Sequence, residues 1–116
     1  MIKYLLVLVF AGTAFAGSRA LYRQPDKTLL VNPITYAADV LPLIQLKCSP
    51  CHLRSKGGIK TNFENYKTAK KYGVAMLERI QLPDGKKKYM PLKNPRLSGE
   101  EIAVFKKWVD DGLLER

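Results

Sequence analysis

The 116-residue chain is short of several parts that commonly hold a small protein together. It has two cysteines, three positions apart at Cys48 and Cys51, and that pair closes no useful loop. A disulfide framework of the kind that staples small secreted domains is therefore excluded. It has one histidine, His52, so no site in this chain can call on two imidazoles. It lacks a long hydrophobic run: the apolar stretch from Tyr4 to Ala11 falls well short of the ~20 residues that span a bilayer. Acidic residues are also scarce, 10 against 20 Lys+Arg, for a net charge of +10. Such a charge bears on solubility and partners and leaves the fold undecided.

The N-terminus reads as a secretory signal peptide over residues 1–16. Lys3 supplies the positive start, Tyr4 to Ala11 the apolar core, and Ala14-Phe15-Ala16 the small-x-small cleavage pattern. The chain is accordingly expected in the periplasm or another exported location, with an uncleaved, membrane-anchoring segment as the alternative. Only Lys3 of the charged residues precedes Gly17, so cleavage lowers the net charge by one. Nucleic acid is not an expected partner after export. An acidic protein surface is, and peripheral association with an anionic membrane is the other option.

Residues 17–35 have no clear period and read as an arm or spacer; residues 36–116 read as one compact domain. Val40-Leu41 and Leu43-Ile44 with Leu46 form a short helix, with Asp39 as its expected N-cap and Pro42 tolerated in the first turn. Gly57-Gly58 break the chain. Thr61-x-x-Glu64 has capping-box form, opening a helix expected to stop at Gly73, with a further helix over Val74 to Leu82. Leu82-Pro83-Asp84-Gly85 is a turn, and Lys86 to Asn94 an exposed loop. Ser98-x-x-Glu101 opens the last helix, where Ile102, Phe105 and Val109 share a face and Gly112 marks the stop. The expected class is all-α.

Cys48-Ser49-Pro50-Cys51-His52 is the attachment signature of c-type haem. Two thiols add across the two vinyl groups of the macrocycle, and the adjacent imidazole comes under the iron. A buried macrocycle would also fill the core of a domain too small to build a secure one alone. Rival readings exist. A structural zinc asks for about four ligands, and two cysteines with one histidine fall short. Cys-x-Pro-Cys is also a thioredoxin-type redox motif, but no βαβ unit surrounds it.

His52 being the one histidine, the sixth ligand must be sought elsewhere. Beyond Met1 the methionines are Met76 and Met90. Met76 lies in a helical stretch and reads as core filling. Met90 lies in a loop stiffened by Pro91 and directly precedes the last helix, which makes it the expected thioether ligand, raising the potential of the iron. The metal ligands are thus His52 and Met90, and the cofactor-binding set is Cys48, Cys51, His52 and Met90. Saturated iron suits electron transfer and no enzyme activity. The alternative is a haem subunit or peroxidase-like catalyst with an open iron site, for which no second histidine remains as a distal acid–base.

With these stretches in place, residues 36–115 resemble a class I monohaem cytochrome c, in the variant common as small bacterial and planctomycete-type domains. The likeness rests on Asp39-Val40-Leu41-Pro42, Lys47-Cys48-Ser49-Pro50-Cys51-His52 and Met90-Pro91. Leu97-Ser98-Gly99-Glu100-Glu101-Ile102 and Lys107-Trp108-Val109-Asp110-Asp111-Gly112 complete it. The resemblance implies short helices wrapped around one covalent haem, with the N- and C-terminal helices packed together. It also implies thioethers at Cys48 and Cys51 and iron ligation by His52 and Met90. Lys47, Arg54, Lys56, Lys86 to Lys88, Lys93 and Arg96 then read as a positive ring that steers a redox partner carrying an acidic docking surface.

Overall fold

A computed structural model describes residues 32–116; the expected signal peptide, 1–16, and most of the expected arm, 17–35, lie outside the described residues. Among the described residues the chain is all-helical and contains no strand. A π-helical turn at Tyr36–Val40 runs straight into α1 (Leu41–Lys47). A 3₁₀ turn at Arg54–Lys56 follows the cysteine motif, then α2 (Tyr66–Gln81) and α3 (Gly99–Asp110).

The first helix starts earlier than its sequence suggests. Thr35, extended at φ −119°, is the N-cap: its Oγ1 accepts from the Ala38 N–H at 3.3 Å. Asp39 is not the cap. Its Oδ2 accepts from the Thr35 N–H at 2.8 Å, a reciprocal bond one turn in. In the π turn the Leu41 N–H donates to the Tyr36 carbonyl, five residues back. That wider turn admits the Pro42 ring, which in a regular helix presses on the carbonyl four residues before it.

Two expected helices are one. α2 runs unbroken through Gly73, because this glycine is a close approach and not a stop. A Cβ there would meet Leu113 Cδ2 at 2.6 Å and Trp108 Cζ3 at 3.1 Å. Glu64 does not serve in a capping box with Thr61. Asn65 is the cap, accepting from the Thr68 N–H at 3.1 Å, while Glu64 accepts from the Ser55 N–H at 2.9 Å and from the Ser55 hydroxyl. The α3 cap is as the sequence pattern predicts: Ser98 and Glu101 bond each other's backbone N–H, and Gly112 (φ +92°) ends the helix.

The two ends of the domain close on each other. Tyr36 and Ala37 N–H groups donate to the Leu114 and Glu115 carbonyls at 2.8 and 3.0 Å. The Ile34 N–H donates to Asp111 Oδ2 at 2.8 Å, and the Tyr36 and Trp108 rings lie 6.1 Å apart. Ile34, just before the first helical segment, and Tyr36, Val40 and Ile44 within it are buried with Phe105 and Trp108 of α3 and Ala69, Met76 and Ile80 of α2. The core is therefore a layer of three helical segments, and the loops between them carry the chemistry-bearing residues to one side.

Candidate functional site

The fold gathers the four singled-out residues around one cavity. Its volume is about 450 Å³, and Cys48, Cys51, His52 and Met90 all line it. The walls are largely apolar: Phe63, Ala75, Met76 and Ile80 lie beside Leu97 and Phe105. The cavity arises because the helices contribute large side chains at its back while the loop between α1 and α2, and the strap between α2 and α3, form its rim.

Each functional side chain is placed by a local device. α1 ends at Cys48, whose N–H donates to the Ile44 carbonyl at 2.9 Å. The His52 N–H donates to the Cys48 carbonyl at 3.1 Å, so the motif folds as a tight turn carrying both thiols and the imidazole together. Gly58 makes that turn compact. It packs against the Pro50 and Cys51 carbonyls so closely that a Cβ would overlap them. Below the turn, the Lys60 N–H donates to the Cys51 carbonyl and the Phe63 N–H to the His52 carbonyl, both at 3.0 Å.

These two bonds bracket Thr61, and its carbonyl oxygen lies 2.8 Å from His52 Nδ1. A carbonyl can only accept, so the Nδ1 proton is fixed there and Nε2 keeps its lone pair for a metal. The ring also stacks on Phe63, with centroids 4.5 Å apart and planes 12° from parallel. This is the supporting partner a ligating histidine normally has. It is a backbone carbonyl, and a residue-type search of the sequence has no way to find it.

The thiols discriminate between the rival chemistries. Both cysteines are free and half-buried. Burial pushes the Cys48 thiol up to about 11. Cys48 also terminates a helix at its C-terminal, electronegative end, whereas reactive thiolates sit at helix N-termini or beside cations that lower their pKa. The site therefore does not make Cys48 a redox nucleophile of thioredoxin type. Among the described residues no group of three or more His, Cys, Asp and Glu side chains is arranged to hold a metal ion. Haem iron, by contrast, asks the protein for two axial ligands at most, and the cavity presents an imidazole nitrogen and thioether sulfurs. Its size and apolar walls suit a flat, mainly hydrophobic group. The residues present fit a covalently held haem.

Met76 fills the core from a helix, as the sequence predicts, and what the sequence did not reveal is its second surface. It is buried in the core, 7% exposed, and it also borders the cavity, from α2. Met90 borders it from the strap and is half-buried. The basic residues divide as well. Lys47 and Lys93 line the cavity, as do Lys60 and Arg79, which the sequence pattern did not single out. Arg54, Lys56, Lys86 to Lys88 and Arg96 are exposed but do not line it. Lys47 pairs with Glu101 at 3.1 Å and Arg96 with Asp84 at 3.5 Å. Among the described residues no carboxylate lines the cavity. Phe105 faces the cavity, whereas Trp108 packs away from it against Gly73 and donates from Nε1 to the Leu114 carbonyl at 2.9 Å.

No protein-family model, curated protein or solved structure matches the chain.

Proposed function

We propose that this chain is an exported monohaem c-type cytochrome, of the class I kind it resembles, acting as a one-electron carrier. The observation that carries the reading is the arrangement around His52. Its Nδ1 is spent on Thr61, leaving Nε2 free beside two thiols and a methionine on one apolar cavity.

Cys48 and Cys51 are the attachment residues. Each would hold the haem by a thioether, its S–H added across one vinyl group with the hydrogen on the neighbouring carbon and nothing lost. His52 through Nε2 and Met90 through its sulfur would hold the iron, a ligand pair that suits electron transfer. A haem held there supplies a ferric/ferrous couple. The protein's part is to exclude water with Phe63, Ile80, Leu97 and Phe105, and to tune the potential through thioether ligation and burial.

Lys60, Arg79 and Lys93 at the cavity, with the exposed lysines beyond it, give this face the charge to attract an acidic redox partner. Association rates that ignore ionic strength would count against that partner class.

The decisive experiment is expression in a host with c-type maturation machinery, followed by spectra of the oxidised and reduced protein and its intact mass. One covalent haem per chain is expected, with carbon monoxide binding poorly to the reduced form. Two titratable thiols and no visible absorbance would sink the reading. Ready carbon monoxide binding would instead favour the catalyst with an open iron site.

A further inference from the structure

Residues 90–97 cross the cavity as a strap, and their backbone does little to hold them there. The Met90 N–H donates to the Arg79 carbonyl at 3.3 Å, tying one end to α2. At the other end Leu97, 4% exposed, is set in the core beside the α3 cap. Between these anchors, among the described residues, no N–H or carbonyl of residues 91–97 makes a backbone–backbone hydrogen bond. Pro91 and Pro95 have no donor to offer.

A side chain does the work instead. Asn94 Nδ2 lies 2.9 Å from the Lys47 carbonyl and 2.6 Å from the Ser49 carbonyl. Two carbonyls can only accept, so the amide nitrogen is identified by its partners, and its two hydrogens serve one each. Lys47 and Ser49 flank Cys48. The side chain therefore joins the strap that carries Met90 directly to the turn that carries the cysteines and His52.

We infer that Asn94 is a clasp, a positioning residue that holds Met90 over the cavity by tying its strap to the Cys48 turn. The inference rests on the proposed function for what Met90 does, and on the hydrogen bonds alone for the clasp itself. Partners outside the immediate ligand set commonly fix a ligand in this way. Loss of the two bonds leaves the strap held through Leu97, the Arg96–Asp84 pair and the single 3.3 Å bond from the Met90 N–H to Arg79, so that Met90 leaves the cavity more often while the thioether attachments stay intact. The strap's open population rises about thirtyfold, roughly five- to sixfold for each hydrogen bond lost.

The test compares the wild type with Asn94→Ala and Asn94→Gln in the full, matured protein, by two readouts. The first is the rate of carbon monoxide binding to the reduced protein, which reports release of the methionine. The second is tryptic cleavage after Lys93 against cleavage in α3 after Lys106, which needs no haem. Asn94→Ala is expected to retain one covalent haem, to bind carbon monoxide about thirtyfold faster and to be cut faster after Lys93 by a similar factor, with Lys106 unchanged. Asn94→Gln keeps the donors on a longer arm and should recover part of both effects. Asn94→Ala rates equal to wild type in both readouts would overturn the clasp. Equal acceleration after Lys93 and Lys106 would also overturn it, since that marks general destabilisation. A wild type without haem would overturn the proposed function, and cleavage after Lys93 would then still decide whether Asn94 clasps the strap.

Discussion

His52 Nδ1 and the carbonyl oxygen of Thr61 stand 2.8 Å apart, and this one contact fixes which imidazole nitrogen faces the cavity. The bond depends on the Thr61 backbone, which the hydrogen bonds at Lys60 and Phe63 hold from either side. The side chain of Thr61 is exposed and contributes nothing to it. Thr61→Ala should therefore leave stability within about 0.5 kcal/mol and haem content unchanged, by urea titration and absorbance. A marked loss of haem in that variant would mean the hydroxyl matters.

Two methionines border the cavity, and a pair of variants separates them. Met90→Ala is expected to keep both thioethers, admit carbon monoxide to the reduced protein and lower the midpoint potential by more than about 100 mV, a fraction of the ~0.8 V that axial ligands command. Met76→Leu conserves volume in the core and should cost less than about 1.5 kcal/mol with no change in ligation. The reverse pattern would move the sixth ligand to α2.

Gly73→Ala sets helix propensity against packing. In an open helix the change gains roughly 1 kcal/mol. Here the new methyl meets Leu113 Cδ2 at 2.6 Å and the Trp108 ring at 3.1 Å. Leu113 can move, but Trp108 is fully buried, so overpacking wins and a net loss of about 1–2 kcal/mol is expected in chemical denaturation. A stabilised variant would show that α2 and α3 can separate at no cost.

Tyr36 gives the fold an alkaline limit. Burial, with the negative charges of Glu64 and Glu115 adding to it, raises its phenol from 10.0 to about 12. Its hydroxyl donates to the Phe63 carbonyl at 2.8 Å, an arrangement that requires the neutral form. The unfolded chain ionises this group first, so its stabilisation is complete below pH 10 and is lost as pH rises from there to about 12. Tyr36→Phe should cost about 1 kcal/mol at neutral pH through the missing hydrogen bond. Its stability should then fall less steeply than the wild type's above pH 10. Parallel curves in that range would remove Tyr36 as the cause.

The parts of this protein legible in its sequence are those written in neighbouring residues. The Cys48–His52 turn needs only five consecutive positions, and Ser98 with Glu101 caps α3 through bonds three residues apart. Helical class follows from the same local periodicities, which the described residues bear out. What the sequence left open depends on residues far along the chain. A glycine at position 73 stops a helix or admits a neighbour, and Trp108 and Leu113 decide which. Asp39, and Thr61 with Glu64 three residues on, had the right type and spacing for caps, yet Thr35 and Asn65 took those roles because the chain enters each helix in extended form there. The His52–Thr61 bond and the Asn94 clasp have no local signature, since each pairs a side-chain nitrogen with backbone oxygens that only the folded chain brings near. Sequence alone determined which residues could hold a cofactor. Tertiary structure decided that they line one cavity, because packing α2 and α3 against the first helical segment leaves their connecting loops on a common side.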